Sequence, residues 1–400
     1  MIRSLVARNR REFFRFLAGS PLAARGWAQQ QHADSQPALK DLLNVMDFEE
    51  PAHKALPPAH WGYLTTGVDD DLTLKANREG FRHFQLRPRR LVDVSKPDLS
   101  IELFGTRWET PVFICPVGSQ KAFHPDGEIA VAKAARSKHT LQILSTVSSN
   151  SVEDVAGALG TPPWFQMYMP VSWEMTEKLV KRVESAGCPA LAWTIDLLAG
   201  RNTETLERFR RIDTRQCVAC HQTAQGGVAG PNTTMAQRQR PMFAGLQGGI
   251  NPSQATWAYV DRLKKLTKMK LLLKGIENGD DARLCREHGV DGIILSNHGG
   301  RATETGRGTI ECLAEVVQGA GDVPVLVDGG FRRGADVFKA LALGARAVGI
   351  GRPYIWGLSA FGQEGVERVL DILRAELTLT MRQCGTPTIR QITRAAIVNS

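Results

Sequence analysis

Seven residues, Leu295-Ser296-Asn297-His298-Gly299-Gly300-Arg301, carry the side-chain chemistry most easily read from this chain. They follow an apolar run, Gly292-Ile293-Ile294-Leu295, that reads as a short buried strand, and the paired glycines mark a turn at its end. Histidine exchanges a proton near neutral pH, and arginine holds a carboxylate in a two-pronged grip. With only glycines between them, His298 and Arg301 can both face one cavity. A histidine that caps a strand beside an arginine in a surface ion pair is the competing reading. The rest of the chain weighs against it.

The elements that would position this turn repeat along the chain. Strand-like runs fall at Pro111–Val117, Leu141–Ser145, Trp164–Tyr168, Ala190–Asp196, Lys270–Lys274, Gly292–Ser296, Val323–Asp328 and Ala347–Ile350. Helical patterns lie between most of them: Glu128–Lys138, Val152–Leu159, Trp173–Ala186, Trp257–Leu266, Asp280–His288, Ile310–Gly319 and Ala335–Leu343. A last helix, Glu364–Arg382, closes the set, and an earlier one is expected over Asn44–Ala59. The alternation predicts an α/β fold, a parallel (β/α)₈ TIM barrel with a long insertion after the fourth strand. An open doubly wound sheet would want a Gly-x-Gly-x-x-Gly after its first strand, and none stands there.

In a barrel the chemistry gathers at the carboxyl ends of the strands. Here those ends carry Ser145, then Gln166 and Tyr168, then Thr194 and Asp196, then Lys274, His298 with Arg301, and Asp328. Any one of them is easily structural, but six consecutive strands ending this way is hard to ascribe to packing. Asp328-Gly329-Gly330-Phe331-Arg332-Arg333-Gly334 and Gly349-Ile350-Gly351-Arg352-Pro353 add a phosphate signature at the last two strands. Bare glycine backbone, a helix start and an arginine together suit a phosphate.

Bulk properties exclude several classes. The net charge is +9, but residues 1–28 hold six arginines against one glutamate, which leaves a mild +4 for the remainder. No nucleic-acid-binding motif accompanies it. No apolar stretch approaches the ~18 residues of a membrane span. Asn9-Arg10-Arg11-Glu12-Phe13-Phe14-Arg15 precedes an apolar run, Phe16 to Ala24, with small residues at Gly26 and Ala28. This reads as a twin-arginine signal over 1–28 that exports a folded protein to the periplasm, against the alternative of an attached basic leader in a cytoplasmic protein. The main domain then runs over 29–395.

The motifs around Ser296–Arg301 and Asp328–Gly334, with Lys274-Gly275, Phe165-Gln166-Met167-Tyr168 and Tyr63-Leu64-Thr65-Thr66-Gly67, are similar to those of the FMN-dependent 2-hydroxy-acid oxidoreductases, the glycolate oxidase, L-lactate dehydrogenase and flavocytochrome b2 type. The likeness covers about residues 40 to 390. It implies oxidation of a lactate- or glycolate-like 2-hydroxy acid to the 2-keto acid. Pro116, Val117 and Gly118 with Ser145, Gln166, Thr194 and Ser296 would hold the isoalloxazine, and Lys274 would lie by its N1–C2 edge. Asp328, Gly329, Gly330, Arg332, Gly351 and Arg352 would complete the FMN site, the last three near the phosphate. His298 would take the substrate's proton, oriented by Asp196. Arg301 would grip the carboxylate with Tyr63, and Tyr168 would bond the hydroxyl. The family's second arginine aligns with Asn202, leaving Arg201 as its substitute, and Val147 stands where an aromatic is frequent. The resemblance also implies a homo-oligomer. A prenyl diphosphate isomerase on the same barrel, or a catalytically silent FMN-binding docking protein, are the rival readings.

The insertion, residues 197–255, is a mobile lid by that resemblance. It contains Cys217-Val218-Ala219-Cys220-His221, the spacing at which two thiols take a haem's vinyl groups and the histidine binds its iron. Covalent haem c, with Met235 or Met242 as distant ligand, would pass electrons to a cytochrome; a quinone is the other acceptor considered. A disulfide or dithiol at Cys217 and Cys220 fits the short glycine-rich segment equally. Cys115, Cys188, Cys285, Cys312 and Cys384 are expected to be buried thiols.

Overall fold

The computed structural model describes residues 37–215, 240–244, 250 and 252–399. Two compact units are distinguished, Met1–Leu42 and Leu43–Ser400. The first contributes one 3₁₀ turn, Leu39–Asp41, to the described residues. The second holds the barrel.

Its strands are β1 (Val112–Ile114), β2 (Ile143–Ser145), β3 (Trp164–Met167), β4 (Ala190–Thr194), β5 (Lys270–Ile276), β6 (Gly292–Leu295), β7 (Val325–Asp328) and β8 (Ala347–Ile350). They pair in parallel in the order β1-β8-β7-β6-β5-β4-β3-β2. An isolated bridge between Ile114 and Gln142, with the Ile114 N–H donating to Leu141 O at 2.9 Å, joins the two ends. The expected barrel is therefore the observed one. All its strands are buried on both faces, as a sheet jacketed by helices must be.

The preceding helices are α1 (Glu49–Ala55), α2 (Pro58–Thr65) and α3 (Leu72–Glu79). The barrel adds α4 (Gly127–Ser137), α5 (Val152–Leu159), α6 (Trp173–Ser185), α7 (Glu204–Ile212), α8 (Trp257–Leu266), α9 (Gly279–Glu287), α10 (Thr309–Ala320), α11 (Gly334–Ala342) and α12 (Arg352–Cys384). Helix starts after strands are set by side-chain caps. Ser151 and Asp154 form a reciprocal box at α5, and Ser172 and Asn278 cap α6 and α9.

The barrel floor is apolar. Leu103, Phe113, Ile143, Trp164, Ala192, Leu272, Ile294 and Leu326 form one buried cluster, against which Ile101, Phe104 and Trp108 pack. Those three belong to a hairpin, Ile101–Leu103 with Thr106–Trp108, that plugs the amino-terminal mouth. β6 starts with Gly292, where a Cβ would meet Leu272 and the Phe104 ring at 3.1 Å.

Three segments differ from the pattern reading. The single helix expected over Asn44–Ala59 is a 3₁₀ turn, Val45–Phe48, followed by α1 and α2. Leu56 before Pro57-Pro58 is extended (ψ 141°), as a residue preceding proline prefers, and this separates the two helices. The last helix starts at Arg352 rather than Glu364, and bends at Gly362, whose φ of +59° no helix accommodates. α7 lies at the start of the insertion, where no helix was expected. A second two-stranded antiparallel sheet, Phe84–Leu86 with Ile397–Asn399, ties the far ends of the domain together.

Where α12 folds back, Gly357 and Gly365 bring bare backbones together; a Cβ on Gly365 would stand 2.0 Å from the Gly357 carbonyl oxygen. Gly365→Ala is expected to destabilise the fold by roughly 1–3 kcal/mol through overpacking. A lowered denaturant midpoint with unchanged slope is the check.

Candidate active site

Side chains alternate across a strand, so the residues that follow the apolar floor at i+2 also point inward. Leu272 is followed by Lys274, Ile294 by Ser296, Leu326 by Asp328, Ala192 by Thr194, Trp164 by Gln166 and Ile143 by Ser145. The barrel thus changes from apolar to polar within one pleat. Each of these polar groups is buried, and each is partnered. Ser145 Oγ donates to Gln166 Oε1 at 3.2 Å, and Gln166 Nε2 to Thr194 Oγ1 at 2.8 Å.

On the other half of the rim, Lys274 Nζ donates to Ser296 Oγ at 2.8 Å, and the serine donates to Asp328 Oδ1 at 2.7 Å. Lys274 also lies 3.6 Å from Asp328 and 4.0 Å from Asp196. Burial alone would favour a neutral amine, but the two carboxylates outweigh it and raise the Lys274 pKa. Asp196 is likewise pressed toward neutrality by burial, yet His298 and Lys274 hold it below the ordinary carboxylate range.

His298 has φ of +57°, and Gly299 and Gly300 follow at +67° and +77°. A non-glycine residue in the left-handed region is strained, and such strain persists only where surroundings enforce it. The enforcement is visible. The Asn297 carbonyl accepts the N–H groups of Gly300 and Arg301, and its side chain exchanges two hydrogen bonds with Asn77 of α3, at 2.9 and 3.0 Å. A Cβ on Gly300 would meet the Leu74 backbone at 2.5 Å, so α3 lies directly on the turn.

The turn aims His298 Nδ1 at Asp196, 3.0 and 3.2 Å from its two oxygens, and Nε2 at the Tyr168 hydroxyl, 3.3 Å away. Burial pushes the His298 pKa below its ordinary value, against the opposing pull of Asp196. Burial, then the neighbouring Tyr63 and Asp196, raise that of Tyr168, which stays a proton donor. Arg301 is 8% exposed and donates through Nη1 to the carbonyls of Tyr63 and Thr66; its guanidinium lies 4.5 Å over the Tyr63 ring. No carboxylate pairs with it among the described residues. Arg352 takes the adjacent carbonyls, Nε on Leu64 O at 2.8 Å and Nη2 on Thr66 O at 2.9 Å. Both arginines therefore satisfy the open C-terminal end of α2.

A cleft opens over this rim. Of the residues expected at the site, Tyr63, Pro116, Val117, Gly118, Tyr168, Lys274, His298, Arg301, Asp328, Gly329, Gly330, Arg332, Gly351 and Arg352 line it. Ser145, Gln166, Thr194, Asp196 and Ser296 do not; their side chains are buried and bonded to one another or to residues that line it. Arg201 is exposed and donates to the Arg301 carbonyl at 3.1 Å. Asn202 pairs instead with Asp69. Cys217, Cys220, His221 and Met235 lie outside the described residues. Met242 is fully buried with its sulfur accepting the Val152 N–H at 3.3 Å, which places it in the packing of α5 rather than in a ligand position. The other five cysteines are buried free thiols, as expected.

Three site residues escaped the sequence reading. Cys115 lines the cleft with Sγ 3.7 Å from Asp328 Oδ2, and burial raises its thiol pKa. Glu277 lies beyond Lys274, pushed up to about 7 by burial and by the Asp196 charge. Asn77 is the third.

Residues 52–399 match the family model described as FMN-dependent dehydrogenase. A peroxisomal (S)-2-hydroxy-acid oxidase of Oryza sativa subsp. japonica is 40% identical over 364 residues, 89% of this chain and 96% of the relative. The chain belongs to the FMN-dependent 2-hydroxy-acid oxidase and dehydrogenase family. Among solved structures, a soluble mutant of the membrane-associated (S)-mandelate dehydrogenase from Pseudomonas putida superposes with a TM-score of 0.80 at 35% identity, covering 90% of this chain and all of that one. A flavocytochrome b2 variant with pyruvate bound gives 0.79 at 31%, covering 94% and 90%.

The cleft fits the family's cofactor. At its β7–β8 end, the buried Arg332 has an Nε with no hydrogen-bond partner among the described residues. Burial, then Arg78, pushes the Arg332 pKa down to about 10, and burial, then Arg301 and Arg332, pushes that of Arg352 to about 9. Among the described residues neither guanidinium has a carboxylate in ion-pair contact, and clustered cations so withdrawn from water call for an anion. The start of α12 adds its partial positive charge there, and a Cβ on Gly351 would meet nothing within 4 Å. A phosphate suits that end of the cleft, and Lys274 presents a cation to its middle.

Asn77 bonds the Asn297 side chain and also accepts the Thr309 N–H at 3.1 Å. Asn77→Ala takes a partner from all three groups, though the Asn297 side chain keeps its bonds to Gly300 N and Arg307 O, and is expected to cost about 1–3 kcal/mol in denaturant unfolding. Activity should fall further than this loss of stability implies, because the turn bearing His298 loses its anchor.

Proposed function

We propose that this protein oxidises a 2-hydroxy acid of the lactate or glycolate kind to the 2-keto acid. The observation that carries the reading is a buried, carboxylate-free Arg301 on the same turn as a histidine whose other face is held by Asp196. An arginine so placed asks for a carboxylate, and a neutral imidazole beside it asks for an acidic hydroxyl. Bound FMN supplies the two-electron acceptor. The substrate carboxylate lies against Arg301, with Tyr63 stacked on the guanidinium and Arg201 at the rim. Its hydroxyl points between His298 Nε2 and the Tyr168 hydroxyl. His298 takes the proton at Nε2, and Asp196 stabilises the imidazolium that results. Tyr168, kept protonated by its burial, donates to the developing keto oxygen. Lys274 would hold its ammonium against the bound cofactor and stabilise the negative charge of its reduced form. Arg332 and the start of α12 hold the phosphate.

The electron acceptor is a separate part of the proposal. A c-type haem at Cys217, Cys220 and His221, reached after twin-arginine export, would make the protein a periplasmic dehydrogenase feeding a cytochrome. The likeness to flavocytochrome b2 supports that reading. Among the described residues no helix is long and apolar enough to cross a membrane. The absorption spectrum of protein matured in a haem-attaching host tests it. A Soret band that survives acid–acetone extraction supports haem, and its absence leaves a disulfide or dithiol.

The catalytic reading predicts that anaerobic L-lactate or glycolate bleaches the flavin absorption. His298→Gln should retain FMN but be reduced roughly 10²–10⁴-fold more slowly, the ordinary worth of a general base. The base works when neutral, and its pKa is depressed, so kcat/KM should rise with pH to a plateau with a midpoint below histidine's usual value of about 6.5. Asp196→Asn removes the group that raises the His298 pKa and should shift that midpoint further down while lowering the plateau. Retained FMN with no bleaching by a panel of 2-hydroxy acids would overturn the proposal.

A further inference from the structure

The stretch from Arg201 to Arg215 opens the insertion, and by the family likeness it belongs to a lid. Its contacts assign it another task. Phe209 of α7 lies on the bare backbone of Gly62 in α2: a Cβ there would stand 2.5 Å from Phe209 Cβ and 3.0 Å from Cγ. Gly62 immediately precedes Tyr63. At the other end of α2, Pro57 offers no capping side chain, and Asp213, 154 residues away, accepts the Ala59 N–H at 2.8 Å. A first-turn amide of α2 is thereby satisfied by a carboxylate that follows α7 directly. Asn202 is bound twice to Asp69, its carbonyl accepting the Asp69 N–H at 3.0 Å and its Nδ2 donating to Oδ1 at 3.2 Å. Arg201 Nη1 donates to the Arg301 carbonyl at 3.1 Å.

These contacts converge on one place. α2 carries Tyr63, whose carbonyl binds Arg301 and whose ring lies under the Arg301 guanidinium. We propose that α7 is a positioning element for substrate recognition: Phe209 and Asp213 fix α2 in the pose that places Tyr63 and Arg301 for the substrate carboxylate. Phe209 and Asp213 touch neither substrate nor cofactor and act through α2. The inference rests on the reading of Arg301 as the carboxylate grip.

If α7 were only a cover over the cleft, undocking it would change access and stability but not the intrinsic affinity for a small carboxylate. If it positions α2, affinity for the carboxylate falls while FMN stays bound. The test uses the full-length holoenzyme with Phe209→Ala, Phe209→Leu and Asp213→Ala. Pyruvate is titrated against the flavin difference spectrum, which requires no turnover, and KM and the limiting rate of flavin reduction are measured with L-lactate or glycolate. Phe209→Ala and Asp213→Ala should each weaken pyruvate binding and raise KM roughly tenfold, about the worth of one loosened charge-assisted hydrogen bond. The limiting rate and the FMN dissociation constant should stay within about twofold of wild type, well under the effect of losing a catalytic group. Phe209→Leu, which refills the contact with Gly62, should recover most of the affinity. Unchanged pyruvate binding in folded Phe209→Ala and Asp213→Ala holoenzyme, or a loss that Phe209→Leu does not recover, would overturn the proposal. A wild-type protein that binds pyruvate but is not bleached by 2-hydroxy acids would instead strike the catalytic reading and leave this one measurable.

Discussion

The structure depends on how a charged layer is kept inside a barrel. Asp328 and Asp196 lie 3.6 and 4.0 Å from Lys274 at nearly complete burial, a placement that would be very costly for any of the three singly. Each carboxylate offsets the lysine, and Ser296 bridges lysine to aspartate with two short hydrogen bonds. The ensemble is stable as a set and intolerant of subtraction. His298 joins it through Asp196, so the imidazole proposed as the base is held by a carboxylate that is itself paired with Lys274. This is why burial can depress the His298 pKa while the imidazole still has a carboxylate ready to stabilise its charged form.

The barrel pattern supplies this layer without special architecture. One pleat above an apolar floor of Leu, Ile, Ala and Trp, the same inward parity places Ser145, Gln166, Thr194, Lys274, Ser296 and Asp328 in a ring. The plug hairpin below, with Phe104 admitted at Gly292, closes the opposite mouth against water. What the strands cannot supply is the reach from rim to substrate. The turn after β6 does that, by three successive left-handed residues that turn the chain back and bring His298 over Asp196. Its strain is tolerable because Asn77 and Asn297 satisfy each other and Gly300 lets α3 press on the backbone.

Much of this was legible in the sequence because the signals are local. Strand periodicity, polar strand ends and glycine pairs at 299–300 and 329–330 all lie within a few residues of what they determine. What escaped reading is non-local. Asn77 is a polar residue in an unremarkable charged helix, and its partner is 220 residues distant. α7 has apolar residues at Leu206 and Phe209, three apart on one helix face, but among so many charges they describe a helix only once α2 is there to receive it. Ser145, Gln166 and Thr194 were placed correctly on their strands, yet strand position alone does not tell a wall from the layer behind it. The Leu56-Pro57-Pro58 break, by contrast, was fully local and was passed over.

The C-terminal end of α2 shows how these parts are linked. A helix leaves its last carbonyls without partners, and here Tyr63, Leu64 and Thr66 direct them at Arg301 and Arg352. Both guanidinium groups line the cleft, and by the proposed reading one faces its substrate end and the other its phosphate end. A single helix terminus therefore sets the position of both anion-binding groups, and displacing it would disturb both at once. Arg352 has further support from Gly299 O at 2.8 Å and from its own place at the start of α12, whereas Arg301 has the turn after β6 and the contact of the exposed Arg201 with its carbonyl. Of the two, the substrate end is the one that needs α2 held firm, and the contacts of Phe209 and Asp213 fall on that helix.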